Sequence, residues 1–434
     1  MGTSSQKTIE VGILRAASIQ FELNGSFGGY SGPGEVSLRD GKLLFEGGLY
    51  DRLLFEPSAD ECNFLLKDVV IGIGFHWERK ENQRFEGSLA FVPEDNQVRA
   101  VNILSVEQYL VSVIASEMSA TCQSEYLKAH AVISRSWLLS QMGRYTSAPH
   151  PEADDCGTLT PDQWIKWWDR EDHVLFDVCA DDHCQRYQGI TRPSLSYENV
   201  RGAVDATRGE VLESDGKICD TRFSKCCGGY MERFSTAWGN TDYPYLQGVY
   251  DGEALPDFLP APDLTDSVQA EIWIKSNPPA FCNTQDKEIL GQVLNTYDRE
   301  TTQFYRWEVK YTAAELSEIV KERLGVDFGL IESIEPLERG ASGRICKLRL
   351  KGSLRTMVLG KELLIRKAFS RSHLYSSAFV VDKTSKGFVF TGAGWGHGVG
   401  FCQIGGAVMA SKGYTYDQML AHYYPSAKLV KMYE

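Results

Sequence analysis

No apolar run in the 434-residue chain approaches the roughly 20 residues that a membrane-spanning helix needs, so no such span is expected. Positive charge is also in deficit. Lys and Arg number 45 against 58 Asp and Glu, a net charge of −13, which opposes binding to nucleic acid or to anionic membranes. A neutral polymer such as a glycan is less sensitive to that balance. The opening stretch MGTSSQKTIEVGIL lacks the charged-then-apolar build of a secretory signal, so the expectation is either a cytosolic chain or one without its leader. Internal repeats and low-complexity segments are absent too. Otherwise composition is ordinary for a globular protein, 43% hydrophobic and 24% charged, and the length suggests two or three domains around well-buried cores. Cysteine, by contrast, is plentiful: the count is eleven, and an odd number leaves at least one thiol unpaired or bound to metal even in an exported chain.

The most unusual stretch is residues 391–402, TGAGWGHGVGFC, with glycine at every second position from Gly392 to Gly400. If it is extended, one face is bare backbone and the other carries Ala393, Trp395, His397, Val399 and Phe401. Five glycines do not stabilise a strand. Two readings follow: a tight, buried crossing, or the floor of a substrate groove.

Along the chain, residues 8–101 read as β-rich, with short apolar runs separated by glycine pairs. Helical periodicity begins at Ser105, where Val106, Tyr109, Leu110, Val113 and Ile114 recur at three- and four-residue steps, and it ends around residues 117–119. A second helix starts near Ser124, with Glu125 in its first turn and Arg135 about a quarter-turn off the core-facing line. Residues 140–200 look like a long excursion. Short strands return over 203–250, and 252–300 reads as an insertion. Beyond it, a strand–helix–strand block forms a small α/β subdomain, and two closing helices over 405–412 and 416–424 follow the glycine stretch.

Several of these segments together resemble the stage II sporulation protein D / amidase-enhancer family. The carriers are VNILSVEQYLVSVIASEMSATCQSEYLKAHAVISRSW, CCGGYMERFSTAWG, YPYLQGV, SGRICKLRLKG, SSAF and GWGHGVGFCQIGGAVMASKGYTYDQMLAHYYPSAKL. The resemblance implies an exported, periplasmic or cell-envelope protein that meets peptidoglycan glycan strands. Its sporulation branch implies lytic transglycosylase activity; other branches imply enhancement of a cell-wall amidase.

The resemblance also points to residues. Glu117 matches the family's catalytic glutamate. At a helix C-terminus the negative end of the dipole raises a carboxyl pKa, which suits a general acid near neutral pH. One carboxylate suffices for a transglycosylase: it protonates the leaving oxygen, then takes a proton from the sugar's own C6 hydroxyl. Without the resemblance, Glu117 reads as a solvated helix-end glutamate. Arg135 matches an arginine of the same motif, and its guanidinium either grips a carboxylate bidentately at the site or forms a structural salt bridge. His397 is read as an orienting group, and Trp395 as a flat apolar face for sugar or as core. Tyr109, Cys227, Gly228, Gly229, Tyr230, Gly396 and Gln403 complete the expected groove. Cys226, Cys227 and Cys402 stand where the family pattern has serine, and Ile404 where it has tyrosine.

A second cluster is His173, Cys179, His183 and Cys184, in HVLFDVCADDHC. Two imidazoles and two thiols satisfy the ligand types of a tetrahedral, structural Zn2+ site, and the motif resembles the zinc loop of sporulation members. A Cys179–Cys184 disulfide or free thiols are the alternatives.

The expectation is therefore an α+β protein: a mixed β-rich core with a helical catalytic segment and a small inserted α/β subdomain. Its parts are residues 8–255 with the zinc-loop excursion 140–200, residues 256–366, and residues 367–432 completing the core. The rivals to a transglycosylase are a non-catalytic wall-binding module and a metallohydrolase that uses the histidine–cysteine cluster.

Overall fold

The computed structural model describes residues 7–72, 78–118, 122–144, 156–168, 173–181, 184–190, 194–255, 261–293 and 302–434. It is a mixed α+β fold, as the alternation of strand and helix signals implies. The chain divides into two compact units, each assembled from discontinuous segments. The first comprises residues 1–135, 170–211 and 431–434; the second comprises 136–169 and 212–430.

In the first unit, a six-stranded antiparallel sheet has the order Gly48–Tyr50, Lys42–Phe45, Tyr30–Arg39, Ser18–Phe27, Asn63–Ile71, Arg79–Glu86. Alternation sets its inner face: Ile19, Phe21 and Leu23 point inward from one strand, Phe64 and Leu66 from another. Phe21 lies 5.4 Å from Phe55 and 5.2 Å from Phe91, so rings from separate strands interlock. Burial of each such ring stabilises by about 1.5–3 kcal/mol. A five-stranded sheet carries Thr8–Ala16 between Gln97–Ser105 and the short parallel strand Val178–Cys179. Gly12 on Thr8–Ala16 admits the Phe176 ring, since a Cβ there would fall 2.5 Å from it. That packing and the Gly12–Cys179 pairing seat the start of the histidine–cysteine loop.

The helix Val106–Glu117 starts and ends where the periodicity predicts; a capping box, Ser105 with Gln108, opens it and Met118 N–H on Ile114 O closes it. The next helix, Ser124–Arg144, differs from expectation. Every residue from 129 to 139 is buried, so there is no solvent face for Arg135 to approach. A further helix, Ser194–Ala206, lies in the stretch read as an excursion; polar Asn, Glu and Arg residues dilute its apolar period.

In the second unit, strands Ile331–Arg339, Ile345–Gly352 and Thr356–Gly360 pair antiparallel in sequence order, and Gln163–Lys166 adds parallel to the last. The helix Ala313–Leu324, capped by Thr312 and ended by Gly325 in the left-handed region, buries Leu316, Ile319, Val320 and Leu324. Leu316, Val320 and Leu324 pack with Leu348, Leu350, Met357 and Phe390 in one core. The insertion is not featureless: Ser267–Lys275 and Lys287–Val293 are helices, the first capped by Asp266.

The glycine stretch contradicts the extended reading. Strand Gly387–Ala393 stops inside it, and strand Phe401–Cys402 resumes only at its end. Between them Gly394, Gly396, Gly398 and Gly400 take φ values of +75°, +89°, +76° and +71°. Side chains therefore do not alternate across a flat ribbon; the glycines are turning points in a folded loop. The closing helices are Gln403–Ser411 and Tyr416–Tyr423.

Candidate functional site

Glu117 ends the helix Val106–Glu117 and is half-buried rather than fully solvated. Its Oε1 accepts a hydrogen bond from the Arg186 backbone N–H at 3.2 Å, which fixes one side of the carboxylate. One turn-pair earlier on the helix, Tyr109 is 0% exposed. Its ring stacks on Tyr187 at 5.2 Å, and its hydroxyl is 3.3 Å from Gln185 Oε1. Burial, with the nearby Cys184 and Cys179 thiols, pushes that hydroxyl well above its ordinary pKa. This corrects the expectation that Tyr109 lines a groove: it supports the helix from beneath and offers no face to a ligand.

Arg135 is likewise accounted for. It is 0% exposed, and its bidentate partner is Glu107, with Nε–Oε1 at 3.0 Å and Nη2–Oε2 at 2.6 Å. Nη1 also donates to Glu210 O at 3.0 Å, and Glu107 accepts the Tyr433 hydroxyl at 2.8 Å. Of the two readings open for this arginine, the geometry is that of the structural salt bridge. The carboxylate it grips is Glu107 and not Glu117, so it acts by holding helices together. Glu107 was not singled out from the sequence, because 28 positions separate the pair and no local period links them.

The histidine–cysteine loop also lies in the first unit. One donor atom each from His173, Cys179 and Cys184 falls within 4.8 Å of the others. His173 Nε2 is 3.5 Å from Cys184 Sγ, and Cys179 N–H points at the same sulfur from 3.4 Å. His183 lies outside the described residues. Three converging donors of imidazole and thiol type fit a tetrahedral Zn2+. A cavity of about 380 Å³ borders this loop, lined among others by His173, Cys179, Arg186, Arg15 and Arg99.

The remaining expected residues belong to the second unit. His397 Nδ1 accepts the Val399 N–H at 3.0 Å, so a neutral ring carries its proton on Nε2. Burial and the Arg222, Arg344 and Arg366 guanidiniums hold the imidazole well below its usual pKa, while a hydrogen bond with the Phe223 backbone opposes them. Its ring meets Trp238 edge-on at 4.8 Å. His397 thus braces its own loop. Trp395 stacks on Phe304 at 4.8 Å and meets Tyr375 at 4.7 Å, and it exchanges backbone hydrogen bonds with Cys226. Gly228 and Gly229 have φ of +84° and +106°, and a Cβ on Gly228 would lie 2.9 Å from Gly394 N, so the two glycine loops touch backbone to backbone. Tyr230 is 8% exposed and packs edge-on to Trp273 at 5.1 Å; Gln403 and Cys227 are 3% and 2% exposed. Gly396, partly accessible, donates its N–H to Tyr375 O at 2.8 Å. Read together, these positions form a packed interior with a thin exposed margin at Trp395–His397, not an open groove floor.

The residue that organises this interior is Arg344, within the SGRICKLRLKG segment but not singled out there. It is 0% exposed. It donates to Gly396 O at 3.1 Å, to Cys227 O at 3.0 Å and to Ser342 Oγ at 2.8 Å. Beside it, Glu232 accepts from Ala341 N, Ser342 N and Ser342 Oγ at 2.8, 3.1 and 2.6 Å. Buried charges that are this fully hydrogen-bonded hold loops in place.

Comparison with known proteins covers both halves of the chain. The family described as Stage II sporulation protein matches residues 94–213, which include Glu117, Arg135 and the histidine–cysteine loop. A family described as Domain of unknown function (DUF8618) matches residues 232–400. Among relatives, the Stage II sporulation protein D of Bacillus subtilis is 23% identical over 332 residues, 76% of either chain. An uncharacterized protein of Brachyspira hyodysenteriae is 25% identical over 346 residues, 80% of this chain and 72% of its own. The Amidase enhancer of Bacillus subtilis is 23% identical over 339 residues, 74% of this chain but 40% of its own length. The domain match and these relatives agree with the motif order in the sequence, and together they support the likeness of the chain to the stage II sporulation protein D / amidase-enhancer family.

Proposed function

We propose that this protein acts on the bacterial cell wall as a peptidoglycan lytic transglycosylase, cleaving the MurNAc–GlcNAc glycosidic bond to leave 1,6-anhydro-muramyl ends. The reading is carried by Glu117: a half-buried carboxylate at a helix end, one side anchored by Arg186 N–H, inside the stretch matched by the Stage II sporulation protein family. Glu117 would protonate the glycosidic oxygen as the C1–O bond breaks. The resulting carboxylate would then take the proton of the C6 hydroxyl as that oxygen bonds to C1, so one group serves as acid and base. Export to the cell envelope is part of the same proposal. At the loop, His173, Cys179 and Cys184, with His183, would hold Zn2+. A closed four-ligand ion clamps the loop; it has no open position for water, so no hydrolytic step is assigned to it.

A second reading, a glycan-binding enhancer of a cell-wall amidase, is favoured by two observations. One is the likeness to the Amidase enhancer. The other is the geometry of the supporting residues, since Arg135 is taken by Glu107 and His397 by backbone groups. One experiment separates the readings. Denuded and stem-peptide-bearing glycans are incubated with the protein and with Glu117→Gln, and products are analysed by mass spectrometry. Anhydro-muramyl ends that vanish in the variant are expected. Glycan binding without such ends on either substrate would overturn the enzyme reading in favour of the enhancer.

A further inference from the structure

Three cysteines and an aspartate that no expected site uses as a group meet in the second unit. Cys227, Asp251, Cys282 and Cys402 are 2%, 0%, 1% and 0% exposed, and one donor atom from each lies within 4.8 Å of all the others. They come from four separate stretches: the CCGG loop, the segment after YPYLQGV, the insertion, and the N-cap of helix Gln403–Ser411. We propose that these four side chains form a closed tetrahedral site for one thiophilic divalent cation, Zn2+ by the chemistry of its donors, distinct from the histidine–cysteine loop.

The dimensions support a single ion. Zn–S bonds of about 2.3 Å at tetrahedral angles place sulfurs roughly 3.8 Å apart. Cys227 Sγ and Cys282 Sγ are 3.5 Å apart, and an iron–sulfur cluster would need its thiolates spread more widely than these donors are. The surrounding hydrogen bonds already aim the donors. Gly229 N–H points at Cys227 Sγ from 3.4 Å, a turn that its φ of +106° permits, and Cys227 N–H points at Cys402 Sγ from 3.2 Å. Cys282 N–H donates to Asp251 Oδ2 at 3.0 Å, and Tyr423 Oη–H to Oδ1 at 2.8 Å. Such bonds orient ligands and spread the charge of bound thiolates.

Charge points the same way. Three thiolates and a carboxylate carry −4, which a divalent cation reduces to −2. Cys402 is the N-cap of Gln403–Ser411, so the positive end of that helix dipole meets one of the thiolates, and the Arg344 guanidinium is seated on the Cys226 and Cys227 carbonyls. Among the described residues, the one basic side chain within 4.0 Å of the Asp251 carboxylate is His422, at 3.9 Å. A Cys227–Cys282 disulfide is the competing chemistry, but it would use two of the four groups and leave Cys402 and Asp251 clustered without a role. Bound, the ion would lock the CCGG loop, the insertion and the end of the glycine loop together. The proposal does not depend on glycan cleavage.

The test uses the full chain, purified without chelator, in a Cys184→Ser background that removes a ligand from the other cluster. Metal analysis should find about one equivalent of Zn2+, the retention expected of structural sites. Exchange for Co2+ should give thiolate charge-transfer and tetrahedral d–d absorption. Adding Cys282→Ser should abolish both signals, whereas Asp251→Asn should keep the charge-transfer band and shift the d–d bands. Two outcomes would overturn the site, and neither relies on a core variant. One is a folded Cys184→Ser protein with no metal and no Co2+ spectrum. The other is a Cys227–Cys282 disulfide in peptide maps of the freshly isolated, alkylated protein.

Discussion

At the scale of single residues, buried charge decides most. The Arg135–Glu107 pair is bidentate and 0% and 4% exposed, so removing one partner strands the other charge in the core. Arg135→Ala should lower the unfolding free energy by about 3–5 kcal/mol in urea titrations. Joint replacement, Glu107→Gln with Arg135→Met, should cost less than the two single changes added together, because neither leaves an isolated charge. Glu117→Gln is the contrast. Its carboxylate is half-buried and accepts from Arg186 N–H, which an amide oxygen also does, so stability should change by under about 1 kcal/mol while anhydro-muramyl product disappears. If stability fell as far as in Arg135→Ala, loss of product would no longer report chemistry.

At the scale of elements, the glycine loop shows what a repeated residue can mean. Alternate glycines in TGAGWGHGVGFC suit a bare strand face equally well as a chain of left-handed turns. The turns occur because Arg344 and the CCGG backbone occupy the space a strand would need: a Cβ on Gly398 would lie 2.4 Å from the Arg344 guanidinium carbon, and on Gly394 2.7 Å from Cys226 O. Gly413, at φ +88° with nothing within 4 Å, supplies a control in the same unit. Gly413→Ala should cost only the left-handed strain, about 1–2 kcal/mol. Gly398→Ala should cost clearly more, since Arg344 cannot move without releasing four hydrogen bonds. Equal losses in thermal unfolding would mean that steric contact with Arg344 is unimportant.

At the scale of the whole molecule, acid sensitivity should be traceable to histidines held neutral. His373 is pushed down to about 4 by burial and then by Arg366, Lys367 and Arg323. Its unfolded counterpart titrates near 6.5, so between about pH 6.5 and pH 4 the unfolded chain binds a proton that the folded chain refuses. Stability should therefore fall as pH falls through that window, by at most about 1.4 kcal/mol per pH unit for one group. His373→Gln should flatten part of this slope in pH-dependent denaturation; an unchanged slope would remove His373 as a cause.

How much of this was legible in the chain depended on the range of the interaction. The first helix, the helix and strands of the small subdomain and the closing helices all follow from periods of two or 3.6. Those are local properties that the sequence by itself determines. So is the motif order that carries the family resemblance. What only the tertiary structure decided is which side chains meet: Arg135 with Glu107, Arg344 with two loops, and Cys227, Asp251, Cys282 and Cys402 with one another. The physical reason is that such pairs span from 28 to 175 positions, and are chosen by packing and by the need to satisfy buried charge, neither of which leaves a period in the sequence.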